Sequence, residues 1–173
     1  MKTYSLLLTA RYPTRYIPFA FLSMAIFHIP LWLNKNIFFY KLMGSGKNGT
    51  FDIHPDFNQW AIMVFWKSEK PFAEEELFRE CSTLLGSFVM QWLRKFKTKI
   101  SVFHLEPYSG HGSWDGEQFI NQEIRKADPE GKIGVLTRAT IRLSRLFNFW
   151  KAVPGTAENL EKNKGFQYSI GIG

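Results

Sequence analysis

Cysteine is nearly absent from this chain, which contains Cys81 alone among 173 residues. A single cysteine excludes a disulfide framework, a CxxC zinc or redox pair and a cysteine-bound iron–sulfur cluster. GxSxG, paired-carboxylate glycosidase and nucleic-acid-binding motifs are also missing. The four histidines form no HxH or HExxH pair, so we expect no metal site built from side chains alone. The chain therefore has no side-chain catalytic motif, and it fits a reducing cytoplasm.

Positive charge and aromatic residues are abundant. Lys and Arg outnumber Asp and Glu by 22 to 15, giving a net charge of +7. This excess favours contact with phosphate-rich surfaces, acidic lipids or an acidic electron-transfer protein. Aromatic residues make up 17% of the chain, and 17 of them are Phe. Such rings either line an elongated apolar pocket or fill the core, and composition does not choose between the two.

The uncharged run Tyr16–Leu33 has 18 residues, a length that raises the question of a membrane. Pro18, Pro30 and His28 argue against a spanning helix. The run also starts too late for a signal peptide and lacks a small-residue cleavage site. We predict a helix packed on a sheet that does not span a membrane, with docking at a membrane surface as the alternative.

Six segments alternate in a regular order over residues 1–127. Strand patterns occur at Ser5–Arg11, Phe38–Met43, Trp60–Trp66 and Ile100–Leu105, and a helix is expected over Pro18–Ile29. A second helix begins near Pro71, carries Glu74–Glu76 at its start and Arg94, Lys95 and Lys97 at its end, and contains Gly86, which marks a kink or a close approach of another segment. Asp56–Asn58 are predicted to turn the chain into the third strand. The order β, α, β, β, α, β is that of a ferredoxin-like unit.

Residues 131–173 resemble the beginning of a second unit. They read as a strand over Ile133–Arg142, a helix over Leu143–Ala152 and a strand over Phe166–Ile172. Both copies end their second strand on glycines two apart, at Gly44 and Gly46 and again, 127 residues later, at Gly171 and Gly173. We therefore predict a single domain over 1–173 with a repeat that is incomplete.

Several short motifs are similar to those of the spheroidene monooxygenase family of carotenoid-modifying enzymes. They are LTRATIR, the following FW and VP pairs, YSIGIG, FYKLMGSG, WAI at Trp60 and GSWDG at Gly112–Gly116. The resemblance implies an α+β barrel of two ferredoxin-like units. It also implies a monooxygenase that inserts oxygen from O₂ into an acyclic carotenoid or a similar apolar chain, with haem as cofactor and a ferredoxin-type electron donor. Because the family continues beyond Gly173, the second unit would lack its later elements.

The same resemblance suggests residues for a cofactor site. Arg138 is a charge within an apolar strand pattern and needs an anionic partner if it is buried, whereas an outward position on an edge strand needs none. Lys41 has the corresponding place in the first copy, with the same alternative. Trp114 and Trp150 would line the pocket, or simply pack in the core. His111 and His28 are candidate haem ligands, although a surface or hydrogen-bonded role is the commoner fate of a histidine.

Two functions remain open from the sequence. One is the oxygenase, and the other is a non-catalytic α+β barrel protein, or inactive fragment, that binds an apolar ligand. Phe166–Ile172 would also be an uncovered strand edge. We therefore expect either a homodimer or a natural protein longer than this chain. The expected location is the cytoplasm, with peripheral contact to a membrane as a further expectation.

Overall fold

The computed structural model describes residues 1–47, 54–70, 77–110, 112–119, 131–137, 142–145, 147–149, 151, 159 and 162–172. Its strands are β1 (Lys2–Arg11), β2 (Ile37–Gly46), β3 (Pro55–Ser68) and β4 (Lys99–Leu105). Its helices are α1 (Ile17–Ile26), α2 (His28–Leu33), α3 (Leu77–Leu85) and α4 (Ser87–Lys95). Short 3₁₀ turns occur at Thr14–Tyr16 and Leu143–Arg145. The order of strands and helices through β4 confirms the α+β prediction.

The four strands form one antiparallel sheet in the order β2-β3-β1-β4. Strand β1 is central, and Leu7 lies opposite Met63 on one side and Phe103 on the other. Its residues are buried on both faces, which explains why SLLLTA is apolar almost without interruption. This strand order, with a helical crossover after β1 and another after β3, is the ferredoxin-like arrangement, so that prediction is confirmed.

The main core lies between the helices and one face of the sheet. Leu6 and Leu8 are fully buried there, and burying one such side chain contributes about 1.5–3 kcal/mol. The strand residues of this core are Tyr4, Leu6, Leu8, Ala10, Ile62, Val64 and Trp66, and the helix residues include Ala20, Phe27, Leu31, Cys81, Leu84, Leu85, Val89 and Leu93. The Trp60–Trp66 segment lies in β3, an interior strand, so its side chains are covered on both faces of the sheet.

Helices α1 and α2 pack on the sheet through their inner side. Ala20, Ser23, Phe27 and Leu31 are buried at helical spacing, and the helix breaks at Phe27. The hydroxyl of Tyr12 donates to Ser23 Oγ over 3.2 Å, and Ser23 Oγ donates to the Ala20 carbonyl over 2.6 Å. The predicted packing on the sheet is confirmed. Thr14–Leu33 is long and apolar enough to cross a membrane. Core helices of soluble proteins and signal sequences meet the same criterion of length and composition.

Gly86 separates α3 from α4. Its φ of 88° and ψ of 151° belong to a region that is essentially restricted to glycine, so of the two alternatives the kink is confirmed. No segment approaches closely, since a Cβ built at Gly86 has no other atom within 4 Å. Arg94 and Lys95 lie in the last turn of α4, as expected from the helix dipole. Pro71 and Glu74–Glu76, the predicted start of this helical region, lie outside the described residues.

Three predicted elements were wrong in part. Asp56–Asn58 belong to β3 instead of a turn, because Asp56 accepts a hydrogen bond from Arg11 of the neighbouring strand. Ile133–Thr137 form no strand and are exposed, with Val135 at 85%. Phe166–Ile172 make a single antiparallel bridge, Ile172 to Ser45, with Gly46 N donating to Gly171 O over 3.2 Å. An apolar run needs a paired neighbour to become a strand, and local pattern does not show whether one exists.

Of the predicted helix Leu143–Ala152, residues 143–145 form a 3₁₀ turn and residues 147–149 are helical. Residues 131–173 are described in part, so the second repeat and the barrel built from it remain predictions.

His104 should make stability depend on pH. Its ring stacks on both Tyr4 and Trp66, at centroid distances of 5.4 and 5.6 Å, and these two rings also contact each other at 5.9 Å. Burial lowers the pKa of His104 below 6.5, while Glu106 acts in the opposite sense. The folded state then binds the proton less well than the unfolded state, so stability is greatest above pH 6.5 and falls as pH drops through the folded pKa. Urea unfolding at about pH 7.5 and about pH 5.5 should show this loss, and His104→Phe should reduce it.

The matched control for that measurement is His54→Phe, at an exposed histidine. It should leave the pH dependence as it is in the parent protein. Equal pH dependence in the parent and in His104→Phe would contradict the assignment to His104.

Candidate functional site

The candidate site lies on the second face of the sheet, the face opposite the helices. Strand alternation places Phe39, Lys41 and Met43 of β2 there, beside Phe65, Met63 and Ala61 of β3. Met43, Ala61, Met63 and Phe65 are buried and form a core separate from the main one. Since a ferredoxin-like sheet has helices on one side, the burial of this second face must come from other segments of the chain.

One of those segments is the loop that contains GSWDG. Trp114 N donates to Glu117 O over 2.9 Å, and Glu117 N donates to Trp114 O over 3.0 Å. Between them Asp115 and Gly116 have φ values of 53° and 89°. Positive φ at both central positions is the requirement of a type I′ turn, for which Asp-Gly is a favoured pair. The sequence itself therefore sets the turn that presents Trp114 and Asp115 to the sheet.

Four rings form what we call the aromatic cluster: Phe39, Phe65, Trp114 and Phe119. Phe65 and Phe119 stack with centroids 4.0 Å apart and planes at 15°. Phe39 lies 4.9 Å from Phe119, 5.5 Å from Trp114 and 5.7 Å from Phe65. Offset and edge-to-face rings at such distances stabilise one another beyond their simple burial. The cluster thus joins the loop to β2 and β3.

A charged pair borders the aromatic cluster. Lys41 Nζ and Asp115 Oδ2 form an ion pair, and Lys41 also lies over the ring of Phe39, 5.6 Å from its centroid. The two side chains are 35% and 46% exposed, so their attraction is screened by water and contributes little stability. Their position at the rim can orient a polar end of a ligand whose apolar part lies on the rings.

The remaining predicted site residues are scattered or undescribed. Arg138, His111 and Trp150 lie outside the described residues. The structure brings Lys41 and Trp114 together through Phe39, although neither is shown to bind a cofactor. Phe39, Phe65, Phe119 and Asp115 were missed by sequence reasoning. Strand alternation through FFYKL and WAIMVFW, together with the Asp-Gly turn, was the signal that could have found them.

The described residues do not make a haem site. His28 is exposed, with Nδ1 3.1 Å from the Tyr40 hydroxyl, and His104 stacks on Tyr4 and Trp66 on the helix side. His54 is exposed next to residues outside the described ranges. Within the described part of the chain, no three His, Cys, Asp or Glu residues are grouped to hold a metal ion. Haem ligation by His111 remains a prediction.

Cys81 does not suit nucleophilic chemistry. It is fully buried on the helix side of the sheet, and burial, with a smaller contribution from Glu80, raises its pKa to about 11. The thiolate is the reactive form of cysteine, and this position suppresses it at neutral pH. What the described site offers is an aromatic surface with a charged rim, which suits binding of an apolar ligand better than acid–base catalysis.

Comparison with known proteins identifies the relatives of this chain. No protein-family model matches it. Spheroidene monooxygenase of Rhodobacter capsulatus is 29% identical over 161 residues, which cover 92% of this chain and 64% of the relative. The Rubrivivax gelatinosus enzyme of the same name is 29% identical over 138 residues, covering 78% of this chain and 49% of that protein. The chain is similar to spheroidene monooxygenases over most of its own length. It spans between 39% and 64% of the length of these curated relatives.

Solved structures superpose on this chain with TM-scores below 0.5. SnoaB of Streptomyces nogalater, a cofactor-independent oxygenase, superposes with a TM-score of 0.40 and 8% identity over 64% of this chain and 97% of its own. A conserved protein of unknown function from Bacteroides thetaiotaomicron gives a TM-score of 0.44 and 10% identity over 61% of this chain and 97% of its own.

Proposed function

We propose that this spheroidene monooxygenase homologue is part of an oxygenase. The enzyme would insert an oxygen atom from O₂ into an acyclic carotenoid or a similar long apolar substrate. Sequence similarity over 92% of the chain to a protein with that name supports the reaction class. The aromatic cluster on the second face supports placing the binding site there. Four rings from three segments of the chain meet at this point beside one charged pair.

The aromatic cluster suits a flat, conjugated hydrocarbon. A polyene has no hydrogen-bonding groups along most of its length, so its affinity must come from removal of apolar surface from water and from contact with ring faces. Phe39 and Trp114 are half-buried and line the side of the cluster that borders Lys41. The substrate would lie against them, and the Lys41–Asp115 pair would contact a polar end group where the substrate carries one.

The oxygen chemistry requires more than the described residues supply. A monooxygenase places one atom of O₂ in its substrate and reduces the other to water, so electrons must come from a donor. Haem as the oxygen-activating cofactor and a ferredoxin-type donor are proposed from the family resemblance, and a homodimer is proposed from the uncovered strand edge expected at Phe166–Ile172. His111 stays the candidate haem ligand, and Arg138 and Trp150 stay candidate cofactor contacts.

The proposal is tested with an acyclic carotenoid in detergent micelles, with binding followed by the shift of its visible absorption. Trp114→Ala should raise Kd about tenfold, the equivalent of roughly 1.4 kcal/mol, because the ligand loses one ring surface. The control is Phe147→Ala, in the C-terminal segment, where the Phe147 side chain is 80% exposed. Equal loss of affinity in both variants would contradict a site at the aromatic cluster.

Activity is measured separately with isotopically labelled O₂, an electron donor and added haem, and the product is examined by mass spectrometry. Incorporation of one labelled oxygen atom is the expected result. Tight binding at the cluster with no incorporation under any of these conditions would instead favour the non-catalytic apolar-ligand protein.

A further inference from the structure

The outer side of α1 and α2 carries a continuous apolar stripe. Its members lie three or four positions apart, so they share one side of the helical segment: Pro18, Leu22, Ala25, Ile29 and Trp32. All five are exposed, and Leu22, Ile29 and Trp32 reach 47%, 62% and 76%. Scattered exposed apolar residues are normal on protein surfaces, whereas a continuous stripe along two consecutive helices is typical of a surface that binds something.

Further rings extend the stripe toward α4. Phe19 is 39% exposed and stacks on Phe96 with centroids 4.3 Å apart. Phe88, 48% exposed, lies 6.4 Å from Phe27. We call the stripe together with Phe19 and Phe88 the outer apolar surface. It is broader than a single helix face, and it lies on the opposite side of the sheet from the aromatic cluster.

The segment that carries this surface has basic residues and no acidic ones. The first 51 residues contain no Asp or Glu, and their six basic residues are Lys2, Arg11, Arg15, Lys35, Lys41 and Lys47. Arg15 and Lys35 are exposed and flank the apolar segment at its two ends. Arg94 and Lys95 end α4, the helix that contributes Phe88. An apolar surface with a basic border complements a bilayer whose headgroups are anionic.

The same helices hold firmly to the sheet by their inner side. Ala20, Ser23, Phe27 and Leu31 are buried against the core, and the Tyr12–Ser23 hydrogen bond is buried with them. Crossing a bilayer would require the segment to leave the sheet and expose that core to water. The observed packing leaves the outer side free to enter the headgroup region while the inner side stays on the protein. Trp32 has the amphipathic ring that favours the membrane interface.

We propose that the outer apolar surface docks this chain on an anionic lipid bilayer, with α1 and α2 lying parallel to the membrane plane. Leu22, Ile29 and Trp32 enter the boundary between headgroups and acyl chains, and Arg15 and Lys35 contact anionic headgroups. Docking depends only on the helices and their charges, so it is independent of the proposed oxygenase activity.

The test is sedimentation of the purified full chain with vesicles of phosphatidylcholine, with and without phosphatidylglycerol. We expect binding that is much stronger to the anionic vesicles and is weakened in about 1 M salt. Ile29→Glu combined with Trp32→Glu should lower the partition coefficient at least tenfold. Arg15→Gln combined with Lys35→Gln should lower it on anionic vesicles by about fivefold for each charge removed.

Matched controls distinguish docking through this surface from the effect of losing any basic residue or any exposed ring. Lys132→Gln combined with Lys164→Gln removes two exposed basic residues elsewhere, and Phe147→Glu alters an exposed ring elsewhere. Both should bind like the parent. Circular dichroism and thermal melting check that each variant is folded, and Ile29→Ser with Trp32→Ser serves where the glutamates prevent folding.

Three results would overturn the proposal. Absence of binding, or equal binding by the stripe variants and the parent, would exclude this surface. Retention in membranes after alkaline washing would indicate a spanning helix. A dimer seen by light scattering, dissociated by the stripe variants and unable to bind vesicles, would show that a second copy of the chain covers the surface.

Discussion

Phe65→Ala is expected to lower the free energy of unfolding by about 3–5 kcal/mol, the range for truncating a fully buried phenylalanine. Phe65 is 2% exposed, and its ring contacts Phe119 at 4.0 Å and Phe39 at 5.7 Å. Removing it leaves a cavity between β3 and the loop, and it removes the ring on which Phe119 stacks. Urea denaturation followed by tryptophan fluorescence measures the loss.

Phe65→Leu is the informative companion variant, since it retains most of the apolar volume and should cost less than the alanine variant. Phe147→Ala should change stability by no more than about 0.5 kcal/mol, because the ring is 80% exposed. A loss below about 1 kcal/mol for Phe65→Ala would show that the loop does not pack on the second face as described.

Gly86→Ala should lower the free energy of unfolding by about 1–3 kcal/mol through backbone strain. Gly86 has a φ of 88°, which residues with a Cβ rarely adopt. A Cβ built at this position has no other atom within 4 Å, so steric clash does not contribute. The strain would act at the junction of α3 and α4, whose inner sides contribute Leu85 and Val89 to the main core.

Gly165→Ala is the matched control for this variant. Its position is equally open, and its φ lies outside the left-handed region. Its stability should therefore equal or slightly exceed that of the parent, because alanine restricts the unfolded chain. If both variants melt at the parent's temperature, the conformation assigned to Gly86 is wrong.

Local pattern was sufficient for the first structural unit apart from the start of β3. SLLLTA predicts a strand because both faces of β1 are buried, and WAIMVFW does so for β3. Gly86 indicates a kink because glycine is a poor helix former and adopts backbone angles that end a helix. The Asp-Gly pair at 115 and 116 also encodes its turn locally, since both residues adopt positive φ there. Each of these signals acts through the residue itself or through its near neighbours.

Pairing partners decided the outcome where local pattern failed. Ile133–Thr137 has as apolar a pattern as β4, yet it is exposed and forms no strand. Asp56 looks like a turn residue by composition, yet Arg11 of the neighbouring strand holds it within β3 by a 2.9 Å ion pair. A strand is stabilised by hydrogen bonds and side-chain contacts to another segment, so its own sequence is an incomplete description of it.

The sequence by itself determined the order of elements in the first unit, the helical character of the apolar run and the family motifs. The tertiary structure alone decided which side of that run is covered, and which rings meet on the second face. Phe39, Phe65 and Phe119 are far apart along the chain, and only sheet register and the loop above it bring their ring centroids within 5.7 Å of one another. Sites of this kind depend on long-range contacts, which cost chain entropy and leave no periodic signal in the sequence.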